Sequence, residues 1–337
     1  MDPVEALTEI AYLLERELAS SFKTKAFRTA AGVLRGIPEQ ERAGQVASGQ
    51  LKKTKGIGGT TYEVIVEAMD GRVPDYLADL RERTAAPLTT GGQALRKKLR
   101  GDLHSHSDWS DGTTSIESMA DTARWLGHEY LVLTDHSPRL RVANGLTAER
   151  LRKQLDVVDE LNEGYDGFRL LRGIEVDILD DGALDQTSAM LDRLDVVVAS
   201  VHSKLKMESH EMTERMLGAV ADPHTNVLGH CTGRLVSGER GTRPPSQFDA
   251  KAVFAACARE NVAVEINSRP ERRDPPGPLI ELAILAGCLF SIDSDAHAPG
   301  HLGLIDYGAA RAEEHGIPAE RIVTTWPVER LLEWAAG

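Results

Sequence analysis

Seven short apolar runs punctuate the last two thirds of this 337-residue chain, and each stops at a histidine, a carboxylate or, once, an asparagine. Residues 101–103 precede His104-Ser105-His106, residues 130–134 precede Asp135-His136, and residues 168–174 precede Glu175. The other four runs, residues 195–201, 226–229, 262–266 and 289–292, lead into His202, His230, Asn267 and the Asp293, Asp295, His297 group. Between them lie helical patterns over residues 115–126, 148–161, 184–194, 210–221, 250–259 and 279–286. Short apolar runs alternating with helical periodicity predict buried parallel strands joined by crossover helices. In a barrel of such units every strand ends at one mouth, so polar residues spread over some two hundred positions would converge there.

The first hundred residues follow another pattern. Leu7, Ile10, Ala11, Leu14 and Leu18 form a helical stripe, residues 26–34 another, and residues 62–69 follow the turn Gly56-Ile57-Gly58-Gly59. Residues 1–80 are therefore expected to form a small all-helical domain. Residues 81–100, with Thr84-Ala85-Ala86-Pro87 and Thr89-Thr90-Gly91-Gly92, have the composition of a linker. The barrel is expected over residues 101–337.

Charge sharpens this division. The net charge of −13 is the sum of a slightly basic first part, with 16 Lys/Arg and 13 Asp/Glu in residues 1–100, and an acidic remainder with 23 and 39. No stretch approaches the about 20 apolar residues of a membrane span, and Met1-Asp2-Pro3-Val4-Glu5 is acidic where a secretory leader is basic. A soluble cytoplasmic protein without membrane association is expected. Cys231, Cys257 and Cys288 show no paired spacing, so neither a disulfide framework nor a cysteine-ligated zinc is indicated.

The candidate chemistry is that of a metal site. His104 and His106 fall on one side of an extended strand end, because side chains alternate with period two. Asp111 follows in a Ser-Asp-Gly turn. With His136, Glu175, His202, His230, Asp295 and His297 the set holds six imidazoles and three carboxylates, a donor mixture suited to Zn, Mn or Fe and too large for one ion. His128, His210, His224, His301 and His315 lie in predicted helices, loops or element junctions and are expected to be solvated or capping residues.

His104-Ser105-His106, Ser110-Asp111-Gly112, Thr134-Asp135-His136-Ser137, Gly173-Ile174-Glu175, Ser200-Val201-His202-Ser203, Leu228-Gly229-His230 and Asp295-Ala296-His297 resemble the motifs of the polymerase and histidinol phosphatase (PHP) family. Val201 to Met207, Thr213 to Met216, His230 to Leu235 and Glu265-Ile266-Asn267 are similar in particular to the C-terminal PHP domain of bacterial family X DNA polymerases. Cys231 stands where those polymerases usually have proline. The resemblance implies a distorted (β/α)7 barrel with three divalent metal ions (Zn, Mn or Fe). One would be held by His104, His106, Glu175 and Asp295, a second by Glu175, His202 and His230, and a third by Asp111, His136 and His297. His104, His106, Glu175, Asp295 and His297 are the expected catalytic group. Lys204, Arg234, Arg269 and Arg272 follow strand ends and are candidate phosphate clamps.

Residues 22–31 and 55–60 are similar to the amino-terminal helix-hairpin-helix domain of the same polymerases. Residues 23–55 hold eight Lys/Arg and two Glu, and a glycine turn opening a helix offers backbone N–H groups to a phosphate. Lys23, Lys25, Arg28, Lys55, Gly56 and Gly58 are the candidate nucleic-acid contacts. Residues 80–100 leave no room for a polymerase palm, so the resemblance implies hydrolysis without polymerisation. Three functions follow: a phosphoesterase acting on nucleic acid as a nuclease or 3'-end-processing enzyme in DNA repair, a small-molecule phosphomonoesterase of the histidinol-phosphatase type, and a non-catalytic nucleic-acid-binding protein. Salt dependence separates the first two, because a strand releases counterions on binding and a small ester does not; turnover separates the third. No protein partner is indicated.

Overall fold

In the computed structural model, which describes residues 1–238 and 241–337, the chain divides into two compact units, Met1–Pro87 and Leu88–Gly337. The first is all helical, with α1 (Pro3–Arg16), α2 (Ser21–Arg35), α3 (Glu39–Ala47), α4 (Gly59–Met69) and α5 (Asp75–Arg83). Asp2 caps α1 by accepting from the Val4 and Glu5 amides, and the stripe Leu7, Ile10, Ala11 and Leu14 meets Phe27, Leu34, Ile65 and Leu77 in one core. Gly56 has φ +95°, and a Cβ there would lie 2.9 Å from Thr29 Cγ2, so the turn into α4 requires glycine.

Within the segment whose composition suggested a linker, α5 extends to Arg83 and buries Leu80 in the first unit, while Leu95 and Leu99 join the core of the second. Polar, glycine-rich sequence there is ordered by a few buried leucines.

The second unit opens with α6 (Gln93–Arg96) and continues β1 (Gly101–Ser105), α7 (Ile116–Trp125), β2 (Tyr130–Leu133), α8 (Ala148–Glu163), β3 (Arg169–Asp177), α9 (Ser188–Leu191), β4 (Val196–Ser200), α10 (Ser209–Val220), β5 (Val227–Leu228), α11 (Ala250–Arg259), β6 (Ala263–Asn267), α12 (Gly277–Ala286), β7 (Phe290–Asp293), α13 (Ile305–Glu314) and α14 (Val328–Ala335). The strands run parallel in the order of the chain, β1 to β7. The seam between β1 and β7 is closed by a single bridge, Ser105 to Ala296, and by the Leu103 amide donating to Asp293 Oδ1 at 2.9 Å. The result is a distorted seven-stranded barrel.

Leu131, Leu133 and Leu170 pack beneath α7 and α8, and Val197, Ala199, Val264 and Ile266 beneath the helices from α10 onward. Trp326 and Leu331, the latter in α14, cover Val196, Val198 and Val227. The helix expected over residues 184–194 shrinks to the four residues of α9, because Leu184 bridges Ile178 and the Asp185 amide donates to the Asp177 carbonyl. β5 is two residues long, and α13 and α14 follow β7 beyond the last helical pattern named from the sequence. No helix among the described residues is long and apolar enough to cross a membrane.

Candidate metal centre

Each of the seven strands delivers its terminal polar residue to one end of the barrel, and all nine sequence-predicted ligands are found there. Glu175, on β3, is fully buried at the centre. Its Oε2 lies 3.3 Å from His104 Nε2, 3.6 Å from His106 Nε2 and 2.8 Å from His136 Nδ1; its Oε1 lies 3.2 Å from His202 Nε2 and 2.9 Å from His230 Nε2. Asp111 Oδ1 is 3.5 Å from both His136 Nε2 and His297 Nε2, and Asp295 Oδ1 is 3.5 Å from His106 Nε2. Three overlapping groups bring donor atoms within 4.8 Å of one another: His106, Asp111, His136 and His297; His104, His106 and Glu175; and His136, Glu175 and His202.

These donors are poorly satisfied by one another. Both Glu175 oxygens, His104 Nε2, both His106 ring nitrogens and His136 Nδ1 are buried without a hydrogen-bond partner. A buried polar atom left unpaired costs about 1–3 kcal/mol, so such a concentration is stable only when something accepts the lone pairs. Neutral imidazoles and carboxylates that converge in this way fit divalent cations. Burial alone would raise the Glu175 carboxyl, but the imidazoles of His104, His202 and His136 hold it well below the usual carboxylate range. Burial, reinforced by His297 and His136, pushes His106 down to about 3, which leaves it neutral with a free lone pair.

A second layer orients the first. Glu265, fully buried on β6, lies 2.6 Å from His104 Nδ1 and accepts from the His230 amide at 2.5 Å. An ionised carboxylate only accepts, so His104 Nδ1 carries the proton and Nε2 faces Glu175 with its lone pair. Asp177 does the same for His202, accepting from its amide at 3.2 Å and lying 2.9 Å from its Nδ1. Asp135 ties the loop after β1 to β2, accepting from the Ser107 amide (2.8 Å) and hydroxyl (2.6 Å), the Ser110 hydroxyl and Gln154 Nε2 (2.6 Å). Sequence reading placed Glu265 and Asp135 in motifs without a role. Their signal was a carboxylate inside an apolar strand or at its end, a position that needs a partner.

The centre opens into a cleft of about 250 Å³ lined by Leu140, Val142, Leu205, Arg243 and Arg272 besides the cluster itself. Val142 is 95% exposed at the rim. Of the four candidate phosphate clamps, Arg272 lines this cleft, with Nε donating to Asp295 Oδ2 at 3.0 Å. None of the other three lines this cleft: Lys204 pairs with Asp180 at 2.6 Å, Arg234 donates to the carbonyls of Arg272 and Arg273, and Arg269 pairs with Glu271 at 2.8 Å while its Nη1 reaches the Asp295 carbonyl at 3.4 Å. Two histidines expected to be solvated or capping are not. His128 is buried 3.4 Å from Arg96 Nη2, and His301 Nδ1 accepts from the His297 amide at 3.3 Å, beside the centre. Both lie in connections between elements, where no periodic pattern tells a buried histidine from a solvated one.

In the helical unit, Lys23, Lys25 and Lys55 are exposed and have no carboxylate partner among the described residues, and Phe22, 84% exposed, adjoins them in sequence. Arg28 departs from its expected surface role: it forms a bidentate pair with buried Glu15 at 2.9 and 2.7 Å. The Gly58 amide is taken by Thr61 Oγ1 at 2.8 Å. Gly56 shapes the turn.

A parallel barrel whose mouth gathers imidazoles around one buried carboxylate defines a metal-dependent hydrolase. Comparison with known proteins agrees: residues 102–269 match the PHP domain and residues 1–72 a helix-hairpin-helix domain. This chain belongs to the PHP family of metal-dependent phosphoesterases and carries an amino-terminal helix-hairpin-helix domain. It is 40% identical over 200 residues to the DNA polymerase/3'-5' exonuclease PolX of Bacillus subtilis, a match that covers 59% of this chain and 34% of that protein. The chain thus spans about a third of that relative's length. A probable phosphatase of Serratia proteamaculans is 29% identical over 243 residues, covering 69% of this chain and 92% of the relative. Among solved structures, a histidinol phosphate phosphatase from Lactococcus lactis, complexed with zinc, L-histidinol and phosphate, aligns at 17% identity with TM-score 0.48 over 65% of this chain and 95% of its own.

Proposed function

We propose that this protein is a nuclease or 3'-end-processing phosphoesterase acting on nucleic acid in DNA repair, with three divalent ions of Zn, Mn or Fe at the barrel mouth. The observation that carries this reading is the presence in one chain of a buried Glu175 facing five imidazoles and of a helical unit whose exposed Lys23, Lys25 and Lys55 have no carboxylate partner among the described residues. His104, His106, Glu175 and Asp295 would hold one ion, Glu175, His202 and His230 a second, and Asp111, His136 and His297 a third. Bound dications would supply an activated water near neutral pH and offset charge on the phosphoryl oxygens. Glu265 and Asp177 keep the His104 and His202 rings in the tautomer that presents Nε2 to the centre. Arg272, with its Nε on Asp295, has the rest of its guanidinium to bind a non-reacting phosphate oxygen. Leu140, Val142 and Leu205 form the apolar side of the cleft and limit water around the ester.

Lys23, Lys25 and Lys55 would engage the strand through its phosphates, a contribution that weakens as salt rises. The test replaces all three by glutamate in the full chain and measures hydrolysis of a labelled single strand and of p-nitrophenyl phosphate against salt. The wild type is expected to lose strand cleavage steeply between about 50 and 200 mM salt, the variant to cleave the strand poorly at every salt, and small-ester turnover to stay level in both. Equal strand cleavage by wild type and variant would sink the role given to the helical unit. The small cleft and the probable phosphatase relatives favour a second reading, a phosphomonoesterase for a small substrate. Efficient, salt-insensitive turnover of histidinol phosphate with none on strands would select it.

A further inference from the structure

A second and larger cavity, about 810 Å³, lies beside the metal centre in the barrel unit. Asn267 and Arg269 line it and also reach the centre: Asn267 Nδ2 donates to Asp295 Oδ2 at 3.1 Å and Arg269 Nη1 to the Asp295 carbonyl at 3.4 Å. Arg273, Tyr307 and Arg311 form much of the remaining wall. Arg311 is fixed by donating to the carbonyls of Asp274 (3.3 Å) and Pro275, and neighbouring Arg234 by the carbonyls of Arg272 (3.0 Å) and Arg273. Arg273 is exposed, and its backbone is held at φ +48°.

The charge balance of this corner is unusual. Arg234, Arg273 and Arg311 form no ion pair with a carboxylate among the described residues. Burial and the repulsion of Arg234 and Arg273 push Arg311 down to about 10, against the attraction of Asp274 and Glu314. Asp274 is turned onto Thr232, accepting from its amide at 3.2 Å and its hydroxyl at 2.7 Å, and of the two carboxylates in the cavity wall, Glu313 and Glu314, the first takes the Gly92 amide at 2.7 Å. Like charges assembled in a half-enclosed site raise the free energy of the empty state, and an anion with several acceptor oxygens relieves it.

We propose that this cavity is a phosphate subsite, in which Arg273 and Arg311 bind a phosphate group and Tyr307 flanks the attached sugar or base. Because Asn267 and Arg269 of its wall hydrogen-bond Asp295, a phosphate there belongs to the same ligand as the ester in the metal cleft or to a nucleotide held beside it. The first source rests on the nucleic-acid reading above; the second does not.

Two measurements on the full-length, Mn-loaded protein separate these sources: calorimetric titration with thymidine 5'-monophosphate and the KM for a labelled single strand. Each compares wild type with Arg273→Ala and Arg273→Lys. Arg273 is exposed and its side chain forms no hydrogen bond among the described residues, so its replacement leaves the fold intact. The alanine variant is expected to lose about tenfold in nucleotide affinity and to raise the strand KM by a similar factor, with lysine recovering part of both. A loss confined to the mononucleotide supports the cavity with a free nucleotide as its source. A strand that the wild type does not cleave counts against the nuclease reading, and the nucleotide titration then decides the cavity alone. Unchanged nucleotide affinity and unchanged KM in both variants overturn the proposal.

Discussion

Glu265 illustrates how a residue outside the cluster governs it. With no exposure and three donors, the His104 ring, the His230 amide and Asn267 Nδ2, it can neither move nor find water. Glu265→Gln keeps the shape but replaces an obligate acceptor by an amide, so His104 can turn its lone pair away from Glu175. Metal affinity is expected to fall about 10- to 100-fold, read as a shifted Zn or Mn titration followed by calorimetry, with little change in the far-ultraviolet circular dichroism. An unaltered titration would mean that packing alone orients His104. His301 teaches the complementary lesson: its position beside Arg269 and His297 depends on how residues 299–304 fold against the mouth, which no local pattern encodes.

At the scale of elements, the seven strands were legible because each is a short apolar run that ends in a polar residue, and β1 to β4 need no other signal. The failures have local causes. α9 lost most of its predicted length to a turn that binds Asp185 to Asp177. α13 went unread although its buried face, Ile305, Gly308, Ala309 and Ala312, recurs at helical spacing, because three of the four are small residues that stand out little as an apolar stripe. Those small residues permit close approach, and Gly92, just before α6, uses it. Gly92 has φ +86°, and a Cβ there would sit 2.4 Å from the Ala310 nitrogen. Gly92→Ala is expected to cost about 2 kcal/mol or more, measured as a lower denaturant midpoint of the barrel unit. An unchanged midpoint would show that α6 is free to shift away from α13.

For the molecule as a whole, two separate compact units imply two unfolding events, and metal binding should touch only one. Removing metal with a chelator leaves the Glu175 cluster with its buried donors unpaired. The barrel transition is expected to fall by the equivalent of about 2.7 kcal/mol per ion present at a hundred times its dissociation constant, while the helical transition stays in place; scanning calorimetry before and after chelation checks both. An unmoved barrel transition would argue that the cluster holds no resident ion. The sequence by itself determined the barrel class and the identity of the nine converging side chains, because strand periodicity and parallel connection force strand ends to one side. Tertiary structure alone decided that Arg28 serves Glu15, that Arg234 and Arg269 serve neighbours rather than the cleft, and that Arg273 and Arg311 border a cavity. A long cationic side chain reaches any partner within several ångströms of its Cβ, and only the folded surroundings determine which one it meets.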